Sequence, residues 1–101
     1  MTDKYSKAHL HFYEKFYELF GELCQVNQRT EKIKFAEIFS VMSNFLTNYL
    51  NTKEGKNDPL KIDMVILKKK LDVHKKDVLN HRKILEDMSP LINKIIDVRK
   101  K

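Results

Sequence analysis

An all-α fold is what this sequence predicts: an antiparallel bundle of three long helices plus a short C-terminal fourth, with coiled-coil-like packing. Three observations carry it. Apolar residues recur at steps of three and four along most of the chain, which is the spacing of one helix face. Gly and Pro number two each among 101 residues, so few turns are provided for. The hydrophobic share of 42% beside a charged share of 34% suits a chain that buries a core, and the length suits a single helical domain over 1–101.

The first helix is expected over about 4–26. Its stripe is Tyr5, His9, Phe12, Phe16, Leu19, Leu23 and Val26, widened by Tyr13, Tyr17 and Phe20. Glu14, Glu18 and Glu22 step by four along a face left for water. The second helix, about 31–51, carries Phe35, Ile38, Met42, Phe45 and Tyr49, with Phe39, Leu46 and Leu50 beside them. The two stripes are out of phase. The polar run QVNQRT between them offers Asn27 and Thr30 as caps, so a turn near 27–31 is expected in preference to one kinked helix.

A loop is expected over 51–58, in NTKEGKNDP, where Gly55 and Asn57 suit a turn. Asp58 then stands as a capping carboxylate before Pro59 at a first helical position. The third helix is expected to run unbroken over 59–88, on the stripe Met64, Leu67, Leu71, His74, Val78, His81, Leu85 and Met88. Proline inside a helix removes a hydrogen bond and crowds the preceding turn. A break is therefore expected at Ser89-Pro90, with a short, nearly collinear fourth helix over 90–98.

Residues 67–87 read LKKKLDV, HKKDVLN, HRKILED, a seven-residue repeat with paired cations at its second and third places. On an unbroken helix, Lys68, Lys69, Lys75, Lys76, Arg82 and Lys83 would stack into one row about 22 Å long. Residues 1–52 hold equal numbers of basic and acidic side chains, so the whole net charge of +6 lies in the second half. Two readings stand side by side. The row is the solvated side of an otherwise apolar helix, lysine stems covering the surface beside them. Or it is a footprint for an acidic protein or a phosphate backbone. Arginine is scarce in the row and it holds no Asn or Gln, so base-specific contacts are poorly supplied.

Val65, Ile66, Val73, Leu79, Ile84 and Leu91 are apolar outside the main stripe, so this segment is apolar around much of its circumference. Such a helix needs more than one neighbour. Met64, Leu67, Leu71, His74, Val78, His81, Leu85 and Met88 are accordingly read as an interface for a partner helix or a second copy of the chain. Histidines in an inward row are expected to bond a nearby tyrosine, carboxylate or backbone group. His74 and His81 are about 10.5 Å apart along a helix axis, too far to share one metal ion, and no metal site is expected.

No assembled catalytic group is legible. Gly21 and Gly55 form no phosphate-cradling loop, and Cys24 is four turns from His9 or His11 on the same helix. The expected function is a small protein–protein interaction module, such as an adaptor, inhibitor, chaperone or assembly subunit. The alternative is charge- or shape-based nucleic-acid binding through the cation row. No cofactor, no small-molecule substrate and no membrane partner are expected; a protein partner or self-association into a homo-oligomer is. One cysteine allows no internal disulfide, and no stretch reads as a secretory signal, so a cytoplasmic location is expected.

Overall fold

The computed structural model describes residues 5–29 and 31–100. Among the described residues five helices pack against one another: α1 (Lys7–Gln28), α2 (Lys32–Leu50), α3 (Lys53–Lys56), α4 (Lys61–His74) and α5 (His81–Arg99). Among the described residues there is no strand, and no helix is long and apolar enough to cross a membrane.

Helix α1 opens on a reciprocal cap. The Ser6 hydroxyl accepts from the His9 backbone N–H at 3.2 Å, and His9 Nδ1 accepts from the Ser6 backbone N–H at 3.0 Å. Histidine thus fills the place that Glu or Gln usually takes in such a box. His9, Phe12, Tyr13, Phe16, Leu23 and Val26 are buried, as the stripe predicts. The expected start at residue 4 lies outside the described residues. So does Thr30, one of the two proposed caps; the other, Asn27, is inside α1. Helix α1 ends at Gln28 and α2 begins at Lys32, so the helices change over within the expected 27–31, and Glu31 opens α2 without a side-chain cap bond. The Phe12 ring lies between helices, 3.8 Å from Tyr49 and 4.9 Å from Phe45 by centroids, which fastens α1 to α2.

The stretch expected as loop contains a one-turn helix, α3, capped by Thr52, whose hydroxyl accepts from the Gly55 N–H at 3.0 Å. Gly55 is buried against the last turn of α2. A Cβ there would overlap the Tyr49 carbonyl, so only glycine allows α3 to sit this close. Asp58 is not the helix cap expected: it accepts from the Leu60 N–H at 2.7 Å in the turn before α4, which begins at Lys61 with Leu60 as its N-cap and no side-chain cap bond.

The largest departure concerns the expected helix over 59–88. Helix α4 ends at His74, residues 75–80 form turns, and α5 begins at His81 and runs through Pro90. The chain therefore breaks where the repeat looked continuous and continues where proline promised a break. In the turns, the Asp77 N–H bonds the His74 carbonyl at 3.0 Å and the Asn80 N–H bonds the Asp77 carbonyl at 3.2 Å. The physical reason is burial. A single rod would leave much of its apolar circumference without a neighbour, whereas folding back lets α5 cover α4 with Ile84, Met88, Leu91, Ile92 and Ile95. The end of α4 meets the start of α5 through His74 and Asp87, and its beginning meets the later part of α5 through Asp63 and Lys94. Pro90 is tolerated because the bond it removes is to the Glu86 carbonyl; both residues are exposed, where water can substitute.

Helix α1 also packs on α5, and α2 on α4, while α3 closes one end against α1 and α2. The Arg99 guanidinium ties α5 to α1 by lying 4.6 Å over the Tyr17 ring and bonding Glu14 at 3.2 Å. The core runs from Phe12, Tyr13 and Phe16 through Phe35, Phe39, Met42 and Leu46 to Met64, Leu67, Leu71, Ile84, Met88 and Ile95.

Candidate interaction surfaces

The buried polar groups are structural in character. Tyr13 on α1 donates to Asp58 Oδ1 at 2.5 Å, Tyr49 on α2 donates to Oδ2, and the Leu60 N–H adds a third bond. Three donors compensate a carboxylate that makes no ion pair among the described residues. Burial first, and the bond to Asp58 second, push both tyrosine hydroxyls well above their ordinary range. They are therefore firm donors, not bases, and the cluster clamps α3 and the start of α4 onto α1 and α2.

Each inward histidine has a different partner. His9 Nδ1 accepts from Ser6, so Nε2 carries the proton and donates to the Glu54 carbonyl at 2.8 Å. His74 Nε2 donates to Asp87 at 2.6 Å. His81 stacks on Phe35, centroids 3.7 Å apart and planes 11° apart, and its buried Nε2 has no hydrogen-bond partner. Burial, with the nearby Lys32 charge adding to it, lowers the His81 pKa below the ordinary 6.5. Tyrosine is the partner of none of the three. Burial raises the Cys24 thiol pKa, which disfavours the reactive thiolate. Among the described residues, no group of three or more His, Cys, Asp or Glu side chains is placed to hold a metal ion.

The break at 75–80 disperses the expected cation row. Lys68 and Lys69 stay on α4, Lys75 and Lys76 fall in the turns, and Arg82 and Lys83 stand in the first turn of α5. Three of the six are held by local acids. Lys68 and Lys75 both bond Asp72, at 3.0 and 3.1 Å, and Arg82 bonds Glu86 at 3.1 Å. The two lysines, Lys68 foremost, lower the Asp72 pKa.

The expected interface residues are spent inside the chain. Met64, Leu67, Leu71, His74 and Met88 are buried, and Val78, His81 and Leu85 are half-buried. What α4 turns to solvent is different. Ile62, Ile66 and Val73 are 77%, 50% and 69% exposed. With Lys69 they step by four, three and four, a single stripe on the side away from the core. Sequence reasoning singled out Ile66 and Val73 as surplus apolar positions but missed Ile62. The surplus itself was the signal that could have found it.

A second feature has no linear signal at all. The Phe35–His81 stack draws the start of α2 to the start of α5. Lys32 and Lys34 thereby share one end of the molecule with Lys75, Lys76, Arg82 and Lys83. Ile33 and Leu79 lie at the same end, 80% and 58% exposed. A separate open groove of about 330 Å³ is lined by Ala8, His11, Phe12, Phe45, Tyr49 and Glu54, among others.

No protein-family model, no curated protein and no solved structure matches this chain.

Proposed function

We propose that the chain is a small protein-interaction module, an antiparallel bundle with coiled-coil-like packing, whose outward α4 face receives an acidic amphipathic helix of a partner protein. The observation that carries the reading is the stripe Ile62, Ile66, Lys69 and Val73. Isolated exposed aliphatics are ordinary, but three on the outward face of α4 form a patch, of which Ile66 also borders Pro90 and Leu91 of α5. A partner helix covers such a stripe with its own apolar face. The paired contacts His74–Asp87 and Asp63–Lys94, at opposite ends of α4, support the antiparallel arrangement.

Charge favours a foreign, acidic helix over a second copy. Among the described residues Lys69 and Lys70 make no ion pair, and the nearest acids on α4 are engaged, Asp63 by Lys94 and Asp72 by Lys68 and Lys75. Pairing α4 with α4 of another copy would bring lysines together with no free carboxylate between them. No catalytic step and no cofactor enter this reading. Charge-based nucleic-acid binding keeps one point of support, the gathering of cations at the α2–α5 end.

Photo-cross-linking in the source cell tests the proposal, with a photoreactive side chain at position 66 and, as control, at the exposed position 93. An adduct from 66 to an acidic segment of another protein, lost on Ile62→Asp with Val73→Asp, is expected. An adduct to a second copy, or equal yields from 66 and 93, overturns it.

A further inference from the structure

We infer that the α2–α5 end of the molecule docks on an anionic lipid surface. This surface is distinct from the α4 stripe and does not rest on the interaction proposed for it. Six cations gather there: Lys32 and Lys34 on α2, Lys75 and Lys76 in the turns, Arg82 and Lys83 on α5. The acids near them in the chain are Glu31 and Glu37 on α2, Asp72 on α4, Asp77 in the turns, and Glu86 and Asp87 on α5, Asp87 being bonded to His74. Asp72 engages Lys75 and Glu86 engages Arg82, while Lys32, Lys34, Lys76 and Lys83 make no ion pair among the described residues.

The cations alone would suit any polyanion. The two aliphatics narrow the choice. Ile33, between Lys32 and Lys34, is the most exposed large apolar side chain described, and Leu79 stands out from the neighbouring turn. A phosphate backbone offers nothing to such side chains. A bilayer offers acyl chains just beneath its phosphates, so aliphatics enter while the lysines remain at headgroup level. The two aliphatics lie two residues before Phe35 and His81, whose stack joins their segments. That lowers the ordering needed for both to enter at once.

The test is co-sedimentation of the full chain with phosphatidylcholine vesicles, with and without phosphatidylserine. Binding only to the anionic vesicles, and its loss at high salt, is expected. Ile33→Ser with Leu79→Ser should weaken binding about tenfold or more. Lys32→Glu with Lys76→Glu and Lys83→Glu should abolish it, and Ile66→Ser should leave it unchanged. All these positions are exposed, and far-UV circular dichroism verifies that each variant is folded. The chain has no tryptophan, so Leu79→Trp adds an independent readout, a blue-shifted emission on anionic vesicles only. No sedimentation with anionic vesicles, or binding indifferent to Ile33 and Leu79, overturns the inference. So does binding to duplex DNA that the serine pair does not weaken, an outcome that would favour the nucleic-acid reading. Loss of vesicle binding on Ile66→Ser would move the contact to α4 and overturn the site.

Discussion

Phe35 and His81 lie face to face, ring centroids 3.7 Å apart and planes 11° from parallel, at the point where the starts of α2 and α5 meet. The imidazole Nε2 is buried without a partner, and burial and Lys32 lower the ring's pKa below 6.5. The folded state therefore keeps His81 neutral at a pH where the unfolded chain already protonates it. Its contribution is complete above about pH 6.5 and is lost as pH falls through the lower, folded-state pKa. His81→Phe should keep the stack while removing the titration. Urea midpoints measured at pH 8 and pH 5.5 should thus differ less for the variant than for the parent. An equal or larger difference in His81→Phe would contradict this account.

Asp58 should be the most sensitive polar position in the chain. Asp58→Ala leaves Tyr13, Tyr49 and the Leu60 N–H as buried donors without an acceptor. A loss of about 3 kcal/mol or more is expected in urea unfolding. Tyr49→Phe, which removes a donor and strands less, should lose about half as much. If Asp58→Ala lost less than about 1 kcal/mol, the clamp would not matter to stability.

The two glycines should respond in opposite directions to alanine. Gly55→Ala drives a methyl into the Tyr49 carbonyl and should destabilise by about 2–3 kcal/mol as α3 is displaced. Gly21 lies within α1 with nothing near the place of its missing Cβ, so Gly21→Ala should stabilise by about 0.5–1 kcal/mol. Thermal melts of the two variants report the signs directly.

Pro90→Ala separates a continuous α5 from a broken one. In a continuous helix, alanine restores the bond to the Glu86 carbonyl and should raise stability by about 1–3 kcal/mol. A break at Ser89-Pro90 would make the same change neutral or harmful.

The first half of the fold was legible because its stripes change phase. Continuing the steps beyond Val26 lands on Thr30 and Ile33, not on Phe35, and that mismatch marks the turn. The second half was not legible by the same means. Leu71, His74, Val78, His81 and Leu85 keep their three–four spacing across residues that are not helical, since the turns bring Val78 back against the core. Periodicity cannot see a turn that preserves phase. Asp77 and Asn80, both turn formers, were the local hint, and the excess of apolar positions was the global one. Folding α5 onto α4 covers part of that excess, Ile84 and Leu91, while Ile66, Val73 and Leu79 stay exposed. Pro90 misled because its effect depends on which face it occupies, and its face is exposed. The cluster at the α2–α5 end depends on the same turns, so no linear pattern announces it.

The central claim is that 61–99 is two helices folded against each other and not a rod, and one distance tests it. Asp63 and Lys94 are joined by a 2.7 Å ion pair, whereas on an unbroken helix they would be about 46 Å apart. Spin labels on Asp63→Cys and Lys94→Cys, in a Cys24→Ser background, can be read by double electron–electron resonance. A single short distance below about 20 Å is the predicted result, and a population centred near 46 Å would contradict the account.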